Sequence, residues 1–508
     1  MEINKSFISL ILLALLFSKI CSAQTCKEVV GYYPGWQWYD RSQLVSPTSI
    51  DYSQYSIIQY AFLDMEANGN LNVNDPWGDK NILLGNINWA VAPAGYESSY
   101  DLGNSDYHLP NTSLADYAHA NGVKLLVSLG GWTLSSLFPS IAADPVKRQN
   151  FASQCALICE LYDLDGVDID WEYPGYAVHN GTPADKANFT LLIQEIRNEL
   201  DAIEPEIGRE LLISAAIGAA PEHQANYEWE NLSALLDMFN IMTYDYFGSW
   251  DTQLNHNSPL FYSGPSDPDF NCNASIQSLL NEYNVSPDKI NIGMPFYGRS
   301  QMSNGPPTLF GNGNGNPDYA HFGNDDGTPL FYNILLQMGN FEEYWDDVAK
   351  VPYLIGNNSN SFVSFDNEES IRKKAEYTVD YNLRGCIIWE ITGDYIETLP
   401  GSGIVASTPL VSALNDVFCN YESDGELAGC TNPEANNYNP LATIDDGSCV
   451  VPGCIYEAAI NYNPQATIDD ASCAFNCDNN CLFDGNDDGI INSNDLLGFL
   501  AVFGDVCD

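Results

Sequence analysis

Between Lys27 and Cys419 the chain alternates short runs rich in β-branched and aromatic residues with longer stretches that suit helices. That alternation is the pattern of strand–helix units laid around a parallel sheet, whose strands are buried on both faces. Eight runs stand out: Glu28–Tyr33, Ser56–Leu63, Val123–Leu129, Gly166–Trp171, Leu211–Ile217, Met238–Tyr244, Ile290–Pro295 and Gly385–Ile391. Eight parallel strands close on themselves, so the expected fold class is α/β, a (β/α)8 TIM barrel. Between the seventh and eighth runs lies an excess from Ser300 to about Ser370, with aromatic and apolar content of its own. A structureless loop of that length is disfavoured inside a domain, and the excess predicts an inserted α+β lobe over about 300–370.

After Cys419 the large apolar runs stop and Asn, Asp, Pro and Cys dominate, which sets a boundary near Asn420 to Gly425. Gly429 through Cys449 then repeats as Gly453 through Cys473 at a 24-residue offset, with Asn437-Tyr438-Asn439-Pro440 matching Asn461-Tyr462-Asn463-Pro464. Units this small cannot bury a core of their own, so cysteine bridges are expected to hold them. They read either as a binding or surface-attachment module or as a stapled spacer. The division that follows is a barrel over residues 24–420, two cysteine repeats over 421–474 and a terminal segment over 475–508. In that last segment Asp484, Asn486, Asp488, Ile490 and Asp495 fall at positions one, three, five, seven and twelve of a loop with Gly489 at six. This is the register of a calcium loop, with the Ile490 position served by its carbonyl and Asp495 standing where Glu is common. The loop resembles one half of a dockerin, which makes calcium the expected ion and scaffold or surface attachment a possible role for the end of the chain.

Lys5, the apolar stretch Phe7–Phe17 and Cys21-Ser22-Ala23 read as a secretory signal peptide over residues 1–23. No later run is long and apolar enough to span a membrane. Export to an oxidising compartment agrees with fourteen cysteines, seven of them between Cys430 and Cys507. Thirteen remain after the cut, so at least one stays free or pairs outside the chain. A formal charge of −50 excludes nucleic acid and anionic membranes as natural partners and leaves a neutral or cationic ligand, or simply a heavily hydrated surface.

The fourth run carries the chemistry. In Asp165-Gly166-Val167-Asp168-Ile169-Asp170-Trp171-Glu172 the period of two along a strand puts Asp168, Asp170 and Glu172 in one row. On a barrel strand that row points inward and rises to the C-terminal rim, where barrel active sites are built. Three carboxyls in one buried row cannot all ionise, because like charge and low dielectric both oppose it. At least one is expected to hold a proton near neutral pH, which is what a general acid requires. The row has no His and no calcium-type spacing, so a metal site there is disfavoured.

These residues match without a gap the Asp-x-x-Asp-x-Asp-x-Glu motif of family 18 chitinases, and the chain resembles that family over roughly residues 27–419. Ser128-Leu129-Gly130-Gly131-Trp132, Met242-Thr243-Tyr244-Asp245 and Gly293-Met294-Pro295-Phe296-Tyr297-Gly298-Arg299 extend the likeness, and the 300–370 excess resembles the insertion of the family's deep-groove subgroup. The resemblance implies hydrolysis of β-1,4-N-acetylglucosamine linkages with retention, through an oxazolinium formed by the sugar's own acetamido group, with no cofactor for catalysis. It implies Glu172 as general acid and base, Asp170 orienting the acetamido N–H, Asp168 sharing a proton with Asp170, and Tyr244 donating to the acetamido oxygen. Trp389 would be the floor under the sugar, and Met242, Asp245, Tyr297 and Arg299 match substrate contacts of the family. Chitin and chito-oligosaccharides are the implied ligands.

Aromatic faces at strand ends suit carbohydrate, since the C–H face of a pyranose packs on a π surface without demanding charge. Tyr32, Trp36, Phe62, Trp132, Trp250 and Trp389 occupy such positions. Each taken singly also fits ordinary core packing, Met242 fits core filling and Arg299 fits a structural ion pair. Rival functions are a chitin-binding lectin on the same barrel, an endo-N-acetylglucosaminidase, and an adhesion protein acting through its C-terminal modules. The intact row of Asp168, Asp170 and Glu172 favours the enzyme.

Overall fold

Strands form where β-branched and aromatic residues run together, and their burial is nearly complete along each run. The computed structural model describes residues 26–421, 428–435, 438, 442–445 and 449–476, together with Ile490 and Ile491. In chain order the strands are β1 (Glu28–Pro34), β2 (Ile57–Met65), β3 (Leu71–Val73), β4 (Lys124–Gly130), β5 (Gly166–Asp170), β6 (Leu212–Gly218), β7 (Met238–Met242) and β8 (Ile290–Pro295). They continue with β9 (Arg299–Met302), β10 (Phe341–Asp346), β11 (Val351–Gly356), β12 (Ser361–Ser364) and β13 (Gly385–Trp389).

Strands β1, β2, β4, β5, β6, β7, β8 and β13 pair in parallel, and β1 joins β2 through Val30 opposite Ile57 to close the ring. The fold is therefore the (β/α)8 barrel that the eight runs predict. Strand β3 adds an antiparallel edge to β2. Helices cover the outside, including Pro145–Leu161 and Asp185–Ile207. The first is started by Asp144, whose carboxylate accepts from the N–H groups of Val146 and Lys147, with Pro145 in the first turn. The second ends at Gly208, in the left-handed conformation at φ 82°.

Two cores result from the alternation of side chains. On β5, Val167 and Ile169 face outward into the large core between strands and helices, joined there by Trp171. A smaller inner cluster fills the barrel with Val30, Tyr32, Ile57, Leu126, Met242 and Ile387. Asp168 and Asp170 point into that interior.

Between β8 and β13 the antiparallel strands β9–β12 assemble in the order β10-β11-β12-β9, with the helix Phe331–Gln337 between β9 and β10. This sheet lies where the inserted α+β lobe is expected.

Disulfide Cys26–Cys419 joins the two ends of the barrel, 393 residues apart. Cys430–Cys449 and Cys454–Cys473 each close one repeat at a separation of 19. The repeats also share a backbone pattern: Ala428–Gly429 pairs with Ile444–Asp445, and 24 residues on Pro452–Gly453 pairs with Ile468–Asp469. Cys155, Cys159, Cys272 and Cys386 are free buried thiols. The signal segment 1–23 and the calcium-loop residues Asp484, Asn486, Asp488 and Asp495 lie outside the described residues, whereas Ile490 sits in a two-residue strand opposite Asn476.

Candidate active site

The carboxyls of the motif separate into distinct environments. Asp165 lies before β5, at the end of the barrel opposite the rim, and accepts from the Leu125 N–H and from His119, both at 2.8 Å. Against the upward push of burial, His119 and that N–H hold it below the ordinary carboxyl range, with Arg209 adding to the effect. It joins the bottom of the barrel to its helices and takes no part at the rim.

Asp168 is fully buried and saturated with donors: Tyr32 at 2.9 Å, Ser128 at 2.7 Å, Ser214 at 2.5 Å and Asn240 at 3.3 Å. Burial still leaves its carboxyl raised. The four donors reach both Asp168 oxygens, two on each, and its charge in turn helps to raise Asp170.

Asp170 is the contrasting case. Its Oδ1 is buried and has no hydrogen-bond partner among the described residues. Burial, then the charges of Glu172 and Asp168, push this carboxyl well above its usual range. Burial likewise pushes Glu172 up to about 7, opposed by Tyr173. Near neutral pH the pair thus holds protons that free carboxyls would have lost. Glu172 can give one to an oxygen at the rim and take one back from water, while Asp170 offers an unmatched acceptor to a ligand N–H.

Close packing sets the row's position. At the end of β4, Gly130 and Gly131 have φ of 108° and 85°. A Cβ on Gly130 would lie 2.3 Å from the Asp170 carbonyl oxygen, and one on Gly131 2.7 Å from the Phe62 ring. Only glycine lets β4 approach β5 and Phe62 this closely.

Around the row, Trp389 stacks on Phe62 with centroids 5.8 Å apart and meets Tyr32 at 5.5 Å and Trp36 at 6.2 Å. Trp36, Trp132 and Trp250 are 48%, 51% and 56% exposed, so core packing does not account for them. Tyr32, Met242 and Tyr297 are buried instead. Tyr32 donates its hydroxyl to Asp168 at 2.9 Å and Tyr297 to Asp245 at 2.6 Å. Arg299 forks onto Asp245 through Nε at 2.7 Å and Nη2 at 2.6 Å, and its guanidinium lies 5.0 Å from the Trp250 ring. The ion-pair reading of Arg299 is therefore realised. Tyr244 packs against the inner cluster, edge-on to Tyr297 at 5.9 Å, with its hydroxyl held well above its usual range by burial and by Asp170.

Further side chains hold the row in place. Ser128, Ser214 and Asn240 serve Asp168 from neighbouring strands; polar residues inside otherwise apolar runs were the available signal. Ser135 accepts from the Glu172 N–H at 2.8 Å, and His179 Nδ1 donates to the Glu172 carbonyl at 2.6 Å. Trp38, Trp77 and Trp89 form a second aromatic row, with Trp38 6.5 Å from Trp77 and Trp77 stacked on Trp89 at 5.7 Å. No local pattern marks these, because loops bring them together.

Residues 28–394 match the model of Glycosyl hydrolases family 18. The chain is 33% identical to Chitinase A1 of Niallia circulans over 73% of its length, spanning 57% of that protein. It is 32% identical to Endochitinase 1 of Metarhizium robertsii, covering 72% of this chain and 80% of the relative. Among solved structures, the Group IV chitinase of Ostrinia furnacalis in complex with allosamidin superposes with a TM-score of 0.63 at 30% identity, over 77% of this chain and 98% of that one.

Proposed function

The chain belongs to family 18 of the glycosyl hydrolases, and from that membership we propose that it is a chitinase cutting β-1,4-N-acetylglucosamine linkages with retention. The observation that carries the reading is the pairing of Asp170, buried with an unmatched Oδ1, with Glu172, whose carboxyl is raised to about 7 at the rim. An acetamido N–H is the donor that would satisfy Asp170. So held, the acetamido carbonyl is turned to attack the anomeric carbon as Glu172 gives its proton to the leaving oxygen. Glu172 then takes a proton from the water that opens the oxazolinium. Asp168, fixed by four donors below Asp170, shares a proton with it, and Asp170 stabilises the positive charge that develops on the acetamido group. Trp389 offers its face as the sugar's floor, and Tyr244 directs its hydroxyl at the acetamido oxygen.

Secretion, with residues 1–23 removed, is supported by three disulfides, which persist in oxidising compartments. The proposed division is a catalytic barrel over 24–420, two stapled repeats over 421–474 that serve attachment, and a calcium-binding end over 475–508. Asp484, Asn486, Asp488, Asp495 and the Ile490 carbonyl make an all-oxygen donor set, which suits Ca2+.

The test is hydrolysis of a soluble chitin oligosaccharide by wild type and Glu172→Gln, with product anomers followed by NMR. Initial release of the β-anomer, abolished by the substitution, is expected. Initial release of the α-anomer would refute retention, and binding without turnover by the wild type would make the protein a lectin.

A further inference from the structure

Glu172 stands outside the strand that brings it to the rim: β5 ends at Asp170, and the chain then loops to the helix Asp185–Ile207. A carboxyl on a loop keeps its place only as well as the loop does. Buried Asp185 fastens this one, its Oδ2 accepting from the N–H groups of Gly175 at 3.0 Å and Thr182 at 2.8 Å, and its Oδ1 from the Thr182 hydroxyl at 3.0 Å. Asn180 donates across to the Ser136 carbonyl at 3.2 Å, tying the loop to the one that follows β4.

His179 sits at the centre of this arrangement. Its Nδ1 is 2.6 Å from the Glu172 carbonyl oxygen, and since a carbonyl can only accept, that nitrogen carries a proton whatever the charge of the ring. The same ring meets Trp132 edge to face at 4.7 Å and Tyr176 at 5.7 Å. Trp132 is half exposed and follows β4, the neighbour of β5, whereas Trp389 ends β13, on another side of the barrel. An acid protonates the oxygen between two sugars. With one sugar on Trp389, the aromatic face beside the acid receives the sugar that leaves.

We propose that His179 is a positioning residue that couples a leaving-group sugar stacked on Trp132 to the main chain of Glu172, so that occupation of that face sets the place of the acid. The inference rests on the chitin-hydrolysing reading and adds a residue to that same site. One ring makes both contacts, and two substitutions take them apart. His179→Asn keeps an N–H donor for the Glu172 carbonyl and loses the aromatic edge. His179→Phe keeps the edge and leaves the carbonyl unpaired.

Full-length protein is assayed on a chito-oligosaccharide, which places sugars on both sides of the cut, and on a chitobioside with a phenolic leaving group, which needs little protonation and puts no sugar on Trp132. His179→Phe is expected to lower kcat on the oligosaccharide about tenfold at unchanged KM, with a smaller loss on the phenolic substrate. His179→Asn, which cuts the contact with Trp132 but keeps the donor to the Glu172 carbonyl, is expected to raise KM for the oligosaccharide and to lower its kcat less than His179→Phe does. In a Trp132→Ala background the effect of His179→Asn should shrink, since the coupled partner is gone.

Equal losses on the two substrates, wild-type kcat for His179→Phe, or additivity with Trp132→Ala would each overturn the proposal. If His179→Phe fails to fold, the cycle of His179→Asn with Trp132→Ala still decides it. Absence of turnover by the wild type would overturn the chitinase reading and this inference together. Normal turnover that is indifferent to His179 would overturn the inference alone.

Discussion

Replacing Glu172 by Gln preserves shape while removing a proton and a potential charge, so it should change stability and catalysis in opposite directions. Burial pushes this carboxyl from 4.5 up to about 7, and the folded protein therefore holds the proton more tightly than the unfolded chain does. The stability so gained is fully present below about 4.5 and is lost as pH rises through about 7. At about 1.4 kcal/mol per tenfold change, ionising Glu172 in place costs the fold about 3 kcal/mol near pH 8 and under ~1 kcal/mol near pH 5. Gln resembles the protonated form at both pH values. Glu172→Gln should thus match wild type within ~1 kcal/mol near pH 5 and exceed it by about 3 kcal/mol near pH 8, while turnover falls by roughly 10²–10⁴. Urea unfolding followed by tryptophan fluorescence at the two pH values measures the first quantity, and oligosaccharide hydrolysis by the same preparations measures the second. A stability gap that does not widen with pH, or turnover retained within tenfold, would refute the argument that burial stores the acid's proton.

The same carboxyl should give kcat/KM an alkaline limb near 7, because the acid must be protonated in the free enzyme; a profile flat to pH 9 would assign the proton to another group. Trp389→Ala removes the stacked floor beside Phe62 and should raise KM for oligosaccharides about tenfold, read from initial rates. Cys26→Ser with Cys419→Ser opens a bridge across 393 residues and should cost about 2–5 kcal/mol in urea unfolding, with activity at low temperature retained. A chain ending at Asn420 keeps the barrel and its bridge, and should hydrolyse soluble oligosaccharides at the full-length rate while losing calcium binding by titration calorimetry.

The eight strands and the carboxylate row were legible from the sequence because both are statements about near neighbours. An apolar run of the right length makes a barrel strand wherever it sits, and a period of two places Asp168, Asp170 and Glu172 together before any partner is known. The glycine pair before Trp132 and the change of composition after Cys419 could be read in the same way. The tertiary structure alone decided which residues serve that row. Closure of β1 on β2 and the packing of neighbouring strands bring Tyr32, Ser128, Ser214 and Asn240 to one carboxylate from four strands. They also leave Asp165 at the far end with His119 and Arg209, although it belongs to the same motif. Loop packing exposes Trp36, Trp132 and Trp250 while burying Tyr32 and Tyr297, a distinction that aromatic identity cannot express. The partner of Cys26 lay 393 residues away, and the hold of Ser135 and His179 on the Glu172 main chain is made between separate turns. Each of these depends on distances set by closing the barrel, and a chain read along its length carries local spacing but not those distances.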